Sequence, residues 1–157
     1  MAKEFNIRRV VTGHTADGKA MVAIDEISKN VVTKRPGQTS TVIWATNQLV
    51  PDMGPLGDIS ANVEKTTVEN GSVFRIGRFE PGVAARVHRT ASIDYAIVLS
   101  GAIDMELDDG KVAHLKAGDM VVQRGTVHNW VNHGPEDCMI AFILVHAKLP
   151  EGLEPTG

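Results

Sequence analysis

Two histidines and one carboxylate are the side chains in this 157-residue chain that are best suited to chemistry. His88 begins the segment HRTASID, which ends at Asp94, and His128 lies 40 residues after His88 in the segment VHNWVNH. A carboxylate and two imidazoles form a common ligand set for divalent metals, and this set leaves coordination positions open for a substrate or dioxygen. We therefore predict that His88, Asp94 and His128 are the catalytic residues and also the ligands of a divalent metal ion, with iron, manganese and zinc as candidates.

The elements that must position these side chains are predicted to be short antiparallel β-strands. In residues 103–107, apolar and acidic side chains alternate with the period of a strand that has one dry face. Asp17-Gly18 and Asp109-Gly110 mark tight hairpin turns, because both residue types tolerate a positive φ. No window of the sequence has the pattern of a capped amphipathic helix. Many short strands separated by Gly and Asp favour an all-β sandwich or barrel.

Alternation along a strand determines which neighbours can share a pocket with these residues. Thr90 lies two residues after His88, and Trp130 lies two residues after His128, so each pair points to one face of its strand. A tryptophan there would offer a flat apolar wall, although an aromatic side chain is equally what a small barrel needs to fill its core. Six residues are predicted to line the substrate pocket: Thr90, Trp130, Phe142, Trp44, Gln123 and Arg124.

Two segments with regular glycine and histidine spacing resemble the two conserved motifs of the cupin superfamily. The first motif has the form G-x5-H-x-H-x3-4-E-x6-G, and the second has the form G-x5-P-x-G-x2-H-x3-N. The corresponding residues are Gly82, His88, Asp94 and Gly101 in the first segment, and Gly118, Gly125, His128 and Asn132 in the second. The second segment lacks the proline and is one residue shorter before Gly125. The resemblance is good over residues 73–146 and loose over the first 70 residues.

The resemblance implies an all-β fold, a cupin-type antiparallel β-barrel or jelly roll with extra N-terminal strands. It also implies that metal ligands lie on the inner wall of the barrel. We expect one domain over residues 1–157, with N-terminal strands in 1–50, a long loop in 50–72, the conserved barrel core in 73–146 and a tail in 147–157. Long loops in compact domains commonly act as lids or partner-binding arms, although a mobile connection without a function is an equal alternative.

Two departures from the first motif leave the chemistry open. Thr90 stands where the family has a second metal-binding histidine, and Asp94 replaces a longer glutamate. One hypothesis is a metal-dependent oxygenase, lyase or isomerase that acts on a small organic substrate of aromatic or polyketide-like character. The alternative is a metal-free enzyme of the epimerase or dehydratase type, in which a buried His88–Asp94 pair raises the basicity of the imidazole and fixes its tautomer. A non-catalytic cupin that binds a small molecule is the third alternative.

Composition excludes several other classes of function. The net charge is -3 with a pI near 6.0, and the basic residues are scattered along the sequence, which disfavours a nucleic-acid partner. The first residues lack the apolar stretch of a secretory signal, and no apolar run approaches the roughly 18 residues of a membrane helix. We therefore expect a cytoplasmic protein without a membrane partner.

Small cupins commonly pair and exposed barrel edges favour strand addition, so we also expect a homodimer formed through the first 45 residues.

Overall fold

Strand-forming segments separated by turn residues account for most of the regular structure of the chain. The computed structural model describes residues 3–157, and the strands within this range are β1 (Arg8–His14), β2 (Ala20–Ile27), β3 (Val31–Arg35), β4 (Gln38–Thr46), β5 (Ser72–Phe79), β6 (Ser92–Ser100), β7 (Ala102–Glu106), β8 (Val112–Lys116), β9 (Met120–Arg124), β10 (Asn129–Val131) and β11 (Cys138–His146). Two single-turn 3-10 helices lie at Ser60–Asn62 and Asp108–Gly110. Neither helical segment of the described range has the length and apolar character needed to cross a membrane.

The strands form two antiparallel sheets and a separate hairpin. The larger sheet has the strand order β3-β4-β5-β11-β6-β9, and the smaller sheet has the order β10-β7-β8. Strands β1 and β2 form the hairpin around the predicted turn at Asp17-Gly18, and β7 pairs with β8 around Asp109-Gly110. All of the pairings between neighbouring strands are antiparallel. The predicted all-β antiparallel architecture is therefore confirmed.

Alternation along the strands directs one face of each sheet into a shared apolar core. In β6, Ala96 and Val98 are buried, whereas Tyr95 and Leu99 are exposed. The core combines side chains of both sheets, among them Val42, Val73, Phe79, Ile140, Phe142 and Leu144 from the larger sheet and Ile103, Met105 and Trp130 from the smaller. Full burial of one such side chain stabilises a fold by about 1.5–3 kcal/mol. The packing of this core joins the two sheets.

A buried arginine ties the N-terminal hairpin to the rest of the barrel. The Arg9 guanidinium donates hydrogen bonds to the carboxylates of Glu26 and Asp58, to the Ser60 hydroxyl and to the Ile43 carbonyl oxygen. Because only 6% of the Arg9 side chain is exposed, these charge-assisted bonds are shielded from water. They hold β1, β2, β4 and the connection after β4 together.

The same hairpin carries exposed apolar side chains: Val10, Met21, Val22 and Ile27. The predicted homodimer would use the first 45 residues, and these side chains are apolar surface that such a contact would cover. The homodimer stays a prediction, because the structure describes one chain.

The connection between β4 and β5 spans residues 47–71, close to the long loop predicted at 50–72. A single 3-10 turn at Ser60–Asn62 interrupts it, and the Ser60 hydroxyl accepts the hydrogen bond from Arg9 described above. Lys65 and Thr66, in the second half of the connection, line a groove beside the candidate site. The long connection therefore forms part of the surroundings of the site.

Two motif glycines are required for different reasons. Gly101, between β6 and β7, has a φ of 74°, and a Cβ atom there would lie 2.4 Å from the Asp137 carbonyl oxygen. Gly118 has a φ of 91°, but no atom lies within 4 Å of the position of its Cβ. Gly101 is thus needed for both backbone conformation and space, and Gly118 for conformation alone.

Gly101→Ala is expected to lower the free energy of unfolding by more than about 3 kcal/mol, because a strained φ adds to a clash with rigid backbone. Gly118→Ala is expected to cost about 1–2 kcal/mol, because only the φ strain acts there. Urea unfolding followed by circular dichroism measures both losses. Equal losses in the two variants would contradict this assignment of the clash.

Candidate active site

Backbone pairing brings the two motif histidines together. The His88 N–H donates to the His128 carbonyl oxygen at 3.1 Å, and the His128 N–H donates to the His88 carbonyl oxygen at 3.0 Å. This isolated antiparallel bridge places the two imidazole rings side by side, with their centroids 4.3 Å apart. Both side chains are buried, and His128 adjoins the core at Trp130. His88 and His128 therefore form one pair at the edge of the core.

Backbone carbonyl groups fix the tautomer of both rings. The Nδ1 atom of His88 lies 2.9 Å from the Arg86 carbonyl oxygen, and that of His128 lies 3.0 Å from the Thr126 carbonyl oxygen. Since a carbonyl oxygen can only accept, both Nδ1 atoms carry the proton. Burial lowers the pKa of His88 to about 4 and also lowers the pKa of His128, although the carbonyl hydrogen bonds act in the opposite direction. At neutral pH both rings are uncharged, and each Nε2 keeps its lone pair.

Asp94 lies in the same cavity as the imidazoles but belongs to a separate chain of hydrogen bonds. Its Oδ1 accepts a hydrogen bond from the Ser92 hydroxyl, which in turn lies 2.9 Å from the Thr90 hydroxyl. Burial raises the pKa of Asp94 to about 6, and the Ser92 hydrogen bond and the Arg75 charge oppose this rise. The carboxyl group therefore exchanges between its neutral and charged forms close to physiological pH.

The predicted acid–base pair of His88 and Asp94 is not formed. Within residues 3–157, no hydrogen bond joins Asp94 to either imidazole. The Arg86 carbonyl group, two residues before His88, accepts the Nδ1–H instead, and burial lowers the basicity of this ring rather than raising it. The tautomer of His88 is fixed as that hypothesis required, but by the backbone and not by a carboxylate.

The imidazoles and Asp94 line a small cavity of about 70 Å³. Phe79, Trp130 and Phe142 form its apolar wall, and the Trp130 ring centroid lies 6.0 Å from that of His128 and 5.7 Å from that of Phe142. A volume of this size holds about two water molecules. It admits one functional group of a substrate rather than a whole molecule.

The structure brings half of the predicted pocket residues to this cavity. Thr90, Trp130 and Phe142 are the three predicted pocket residues that line it. The predicted catalytic residues His88, Asp94 and His128 line it as well. Thr90 and Trp130 reach the cavity because Thr90 follows His88 and Trp130 follows His128 at a spacing of two, and side chains two apart on a strand lie on the same face. Trp130 and Phe142 also belong to the hydrophobic core, so each packs in the interior and lines the cavity.

The other predicted pocket residues lie elsewhere, and strand geometry explains each case. Strand β4 has an irregularity between Val42 and Trp44, and Trp44 lines a separate surface depression beside the long connection. Gln123 is buried, but its side-chain amide donates to the Met105 sulfur. Arg124 is the next residue along β9, so it points the opposite way and is exposed. Trp44, Gln123 and Arg124 are therefore not part of the cavity.

Sequence reasoning missed three arginines that line the cavity: Arg35, Arg75 and Arg86. Arg86 precedes His88 and Thr90 at a spacing of two, and this shared parity is the signal that could have found it. Arg75 has no such signal, because it lies in the largely apolar strand β5 and reaches the site only through the pairing of β5 with β4 and β11.

The residues present meet part of the requirement for a metal ion. The Nε2 atoms of His88 and His128 are suitable donors, since each Nδ1–H is held by a backbone carbonyl oxygen, as is common in metal-binding histidines. In the described range, however, no three His, Cys, Asp or Glu side chains are grouped so that they could hold an ion. Asp94 is engaged with Ser92, and Thr90 has no imidazole, so the predicted three-ligand set is incomplete.

Comparison with known proteins assigns the family. The sequence model of the cupin domain matches residues 64–145, which is more than half of the chain. This chain belongs to the cupin family. The cupin-domain-containing oxidoreductase fogC of Aspergillus ruber is 36% identical to this cupin over 128 residues, which cover 79% of this cupin and 63% of fogC. The phomopsin biosynthesis cluster protein C' of Diaporthe leptostromiformis is 35% identical over 151 residues, which cover 89% of this cupin and 78% of that protein.

A solved structure shares the fold. The polyketide cyclase RemF of Streptomyces resistomycificus superposes with a TM-score of 0.52 at 14% identity, over 96% of this cupin and 83% of RemF. At this identity the likeness shows the fold alone. The match to fogC also spans less than two thirds of that protein, so the activities of these proteins are not carried over to this cupin.

Asp94→Asn tests the state of the buried carboxyl group. The pKa of about 6 in the folded protein lies above the ordinary value of 3.8, so ionisation of Asp94 costs stability; this cost builds up as the pH rises from about 4 to about 6 and is constant above that range. A rise of this size corresponds to at most roughly 3 kcal/mol at pH 8. We expect the variant to be more stable than the wild type at pH 8 and to lose this advantage by pH 4, as measured by thermal unfolding.

Asp108→Asn is the matched control for this measurement, because Asp108 is exposed. Its stability difference from the wild type is expected to stay within about 0.5 kcal/mol at both pH values. An Asp94→Asn difference that does not change between pH 8 and pH 4 would show that burial does not shift the carboxyl group.

Proposed function

We propose that this cupin is an enzyme that moves protons on a small organic substrate, with the Nε2 atoms of His88 and His128 as the reacting groups. The observation that carries the proposal is the pair itself, two buried rings with centroids 4.3 Å apart and with both Nδ1–H groups held by the backbone. Within the described residues neither Nε2 atom has a hydrogen-bond partner, and both rings line the aromatic cavity. The two lone pairs are thus available to a substrate.

The first step of the proposed chemistry uses an imidazole as a base. A neutral ring accepts a proton at Nε2 from a C–H or O–H group of the substrate. The carbonyl oxygen that already accepts the Nδ1–H, from Arg86 for His88 or from Thr126 for His128, then stabilises the imidazolium. The lowered pKa values keep both rings in the neutral, accepting form at pH 7.

Asp94 completes the proton transfer as an acid. With a pKa of about 6, a fraction of this carboxyl group is protonated near neutral pH and can donate its proton to a second atom of the substrate. The imidazolium releases the abstracted proton to solvent and the Asp94 carboxylate takes up a proton from solvent, so the protein regains its starting state. The net reaction contains no change of oxidation state, and isomerisation, elimination and cyclisation are of this kind.

The relatives support a small organic substrate. The Aspergillus protein is called an oxidoreductase, and the Diaporthe protein is assigned to a phomopsin biosynthesis cluster. The apolar wall of Phe79, Trp130 and Phe142 favours a small uncharged reacting group, and the groove outside the cavity has room for an aromatic or polyketide-like remainder of the substrate.

Deuterium exchange into carbon acids tests the proposal directly. The cupin is incubated in D2O with aryl ketones such as acetophenone, and loss of the α-proton signal is followed by NMR. We expect His88→Gln and His128→Gln to lower the exchange rate by at least about 100-fold, since general base catalysis contributes factors of this size. His14→Gln, at an exposed histidine outside the cavity, is expected to leave the rate unchanged.

Thermal unfolding and circular dichroism show whether the two variants keep the fold. Exchange rates that stay at the wild-type level in folded His88→Gln and His128→Gln would contradict the assignment of the pair as the base. Exchange that is lost when a chelator is added would favour the second candidate function described next.

The second candidate is a metal-dependent oxidoreductase. The names of two relatives, fogC and virC of Hypocrea virens, support the oxidoreductase part of this candidate. The Nε2 atoms of His88 and His128 would hold the ion, with iron, manganese and zinc as candidates, and a bound ion would supply Lewis acidity or, for iron, dioxygen binding. Metal analysis after purification without added ions separates the two candidates. Less than about 0.1 ion per chain, with exchange that survives a chelator, would contradict metal dependence.

Thr90→His restores an imidazole at the position where the family motif has one. We expect it to raise the affinity for Zn2+ by at least about tenfold, because a third protein donor joins the two Nε2 atoms. Isothermal titration calorimetry measures the change, and Thr67→His, outside the inner cavity, is the control. Equal affinities for the two variants would show that position 90 cannot contribute a ligand.

A further inference from the structure

A wide groove with a strongly basic lining opens beside the inner cavity. Its volume is about 640 Å³, and it shares Arg35, Arg75 and Arg86 with the cavity of the histidine pair. The basic residues that line the groove are Lys34, Arg35, Lys65, Arg75, Arg86 and Arg89. The lining contains no Asp or Glu side chain, although the chain as a whole has a net charge of -3. The groove is therefore a local region of positive charge on an acidic protein.

The cations of this groove have no Asp or Glu side chain of the described range as a salt-bridge partner. None of the six takes part in a salt bridge within residues 3–157, whereas the buried Arg9 contacts two carboxylates. Arg35 donates to the Ala84 carbonyl oxygen, and Arg75 donates to the carbonyl oxygens of Lys65 and Thr66. These acceptors are uncharged, so the positive charge of each guanidinium remains.

Two N–H donors of the groove arginines also lack a hydrogen-bond acceptor in the part of the chain that the structure describes. The Nε atoms of Arg75 and Arg89 are buried and have no hydrogen-bond acceptor among the described residues. Arg86 donates to the Thr66 hydroxyl at 3.4 Å and to the Gly157 carbonyl oxygen at 3.2 Å. A buried donor without an acceptor destabilises the fold, so these two arginines have hydrogen-bonding capacity that the described residues do not use.

Burial and mutual repulsion destabilise the charged form of the groove arginines when no anion is bound. Burial lowers the pKa of Arg75 to about 10, and the charge of Arg86 lowers it further while Asp94 opposes the change. Burial also lowers the pKa of Arg35, and again the charge of Arg86 adds to the effect. Guanidinium groups match carboxylate and phosphate oxygens with pairs of parallel hydrogen bonds, so an oxyanion is the ligand that compensates this cluster best.

We infer that the basic groove binds a carboxylate or phosphate group of the substrate, and that this contact directs the uncharged end of the substrate to His88 and His128. The placement of the reacting end at the two histidines rests on the proposed function, whereas the binding of an anion in the groove does not depend on it. The inner cavity of about 70 Å³ accepts one uncharged group, and the groove of about 640 Å³ accommodates the remainder of the molecule. Arg75 and Arg86 stand at the junction of the two spaces. The substrate class is thus a small organic anion with an apolar reacting end.

Binding of simple probes tests the inference. Benzoate, phenyl phosphate and the neutral benzamide are titrated into the full chain by isothermal titration calorimetry. We expect both anions to bind at least about tenfold more tightly than benzamide, and more weakly as salt is added, since charge-assisted hydrogen bonds and screened charges carry the contact. Stronger binding of benzoate would identify a carboxylate as the recognised group, and stronger binding of phenyl phosphate a phosphate.

Matched variants locate the binding site. Arg75→Gln and Arg86→Gln are each expected to weaken anion binding by at least about tenfold, whereas Arg124→Gln, at an exposed arginine outside the groove, is expected to leave it unchanged. Lys65→Gln, in the exposed part of the groove, provides a further variant that does not disturb the interior, with an expected loss of about twofold to fivefold. Equal binding of benzamide and the anions, or wild-type affinity in both arginine variants, would overturn the inference.

The same variants separate this inference from the proposed function. His88→Gln and His128→Gln should keep the wild-type ratio of benzoate to benzamide affinity within about twofold, because the arginines carry that preference, while deuterium exchange into acetophenone is lost. If the arginine variants bind anions normally and the histidine variants lose exchange, the groove assignment is wrong and the proton-transfer proposal stands. If the arginine variants lose anion binding and the histidine variants keep exchange, the groove assignment stands and the proposed chemistry is wrong.

Discussion

The antiparallel bridge between residues 88 and 128 is the interaction on which the candidate site depends. It consists of two backbone hydrogen bonds, yet it brings into contact two imidazoles that are 40 residues apart along the chain. In each ring the Nδ1–H is held by the carbonyl oxygen two residues earlier, from Arg86 and from Thr126. Strand pairing therefore determines the position and the tautomer of both rings, and through burial it also determines their protonation.

The walls around this pair divide into an apolar and a cationic part. Phe79, Trp130 and Phe142 close the inner end, where a low dielectric keeps the imidazoles uncharged. Arg75 and Arg86 stand where the cavity opens into the groove. The substrate that we propose fits both parts, with charge at one end and none at the other, and this proposal is more specific than the family assignment.

The site could be predicted from the sequence where local geometry controls it. Thr90 and Trp130 line the same cavity as His88 and His128, as alternation predicts, because alternation along a strand needs no knowledge of the partner strand. Trp44 lies beside a strand irregularity and outside the cavity, and His88 and Asp94 are not hydrogen-bonded, because the Arg86 carbonyl group holds the Nδ1 proton of His88. A bulge and a backbone acceptor leave little trace in the residue types that surround them.

The sequence by itself determined the all-β class, the turns at Asp17-Gly18 and Asp109-Gly110 and the family, because strand alternation, turn chemistry and motif spacing are local properties of the chain. Only the tertiary structure decided that Asp94 is hydrogen-bonded to Ser92 rather than to an imidazole and that basic residues scattered along the chain meet in one groove. The physical reason is that the electrostatic energy of a group depends on its distance from other charges and from water, and the folded sheets bring together residues such as Arg35 and Arg75 that are distant in sequence.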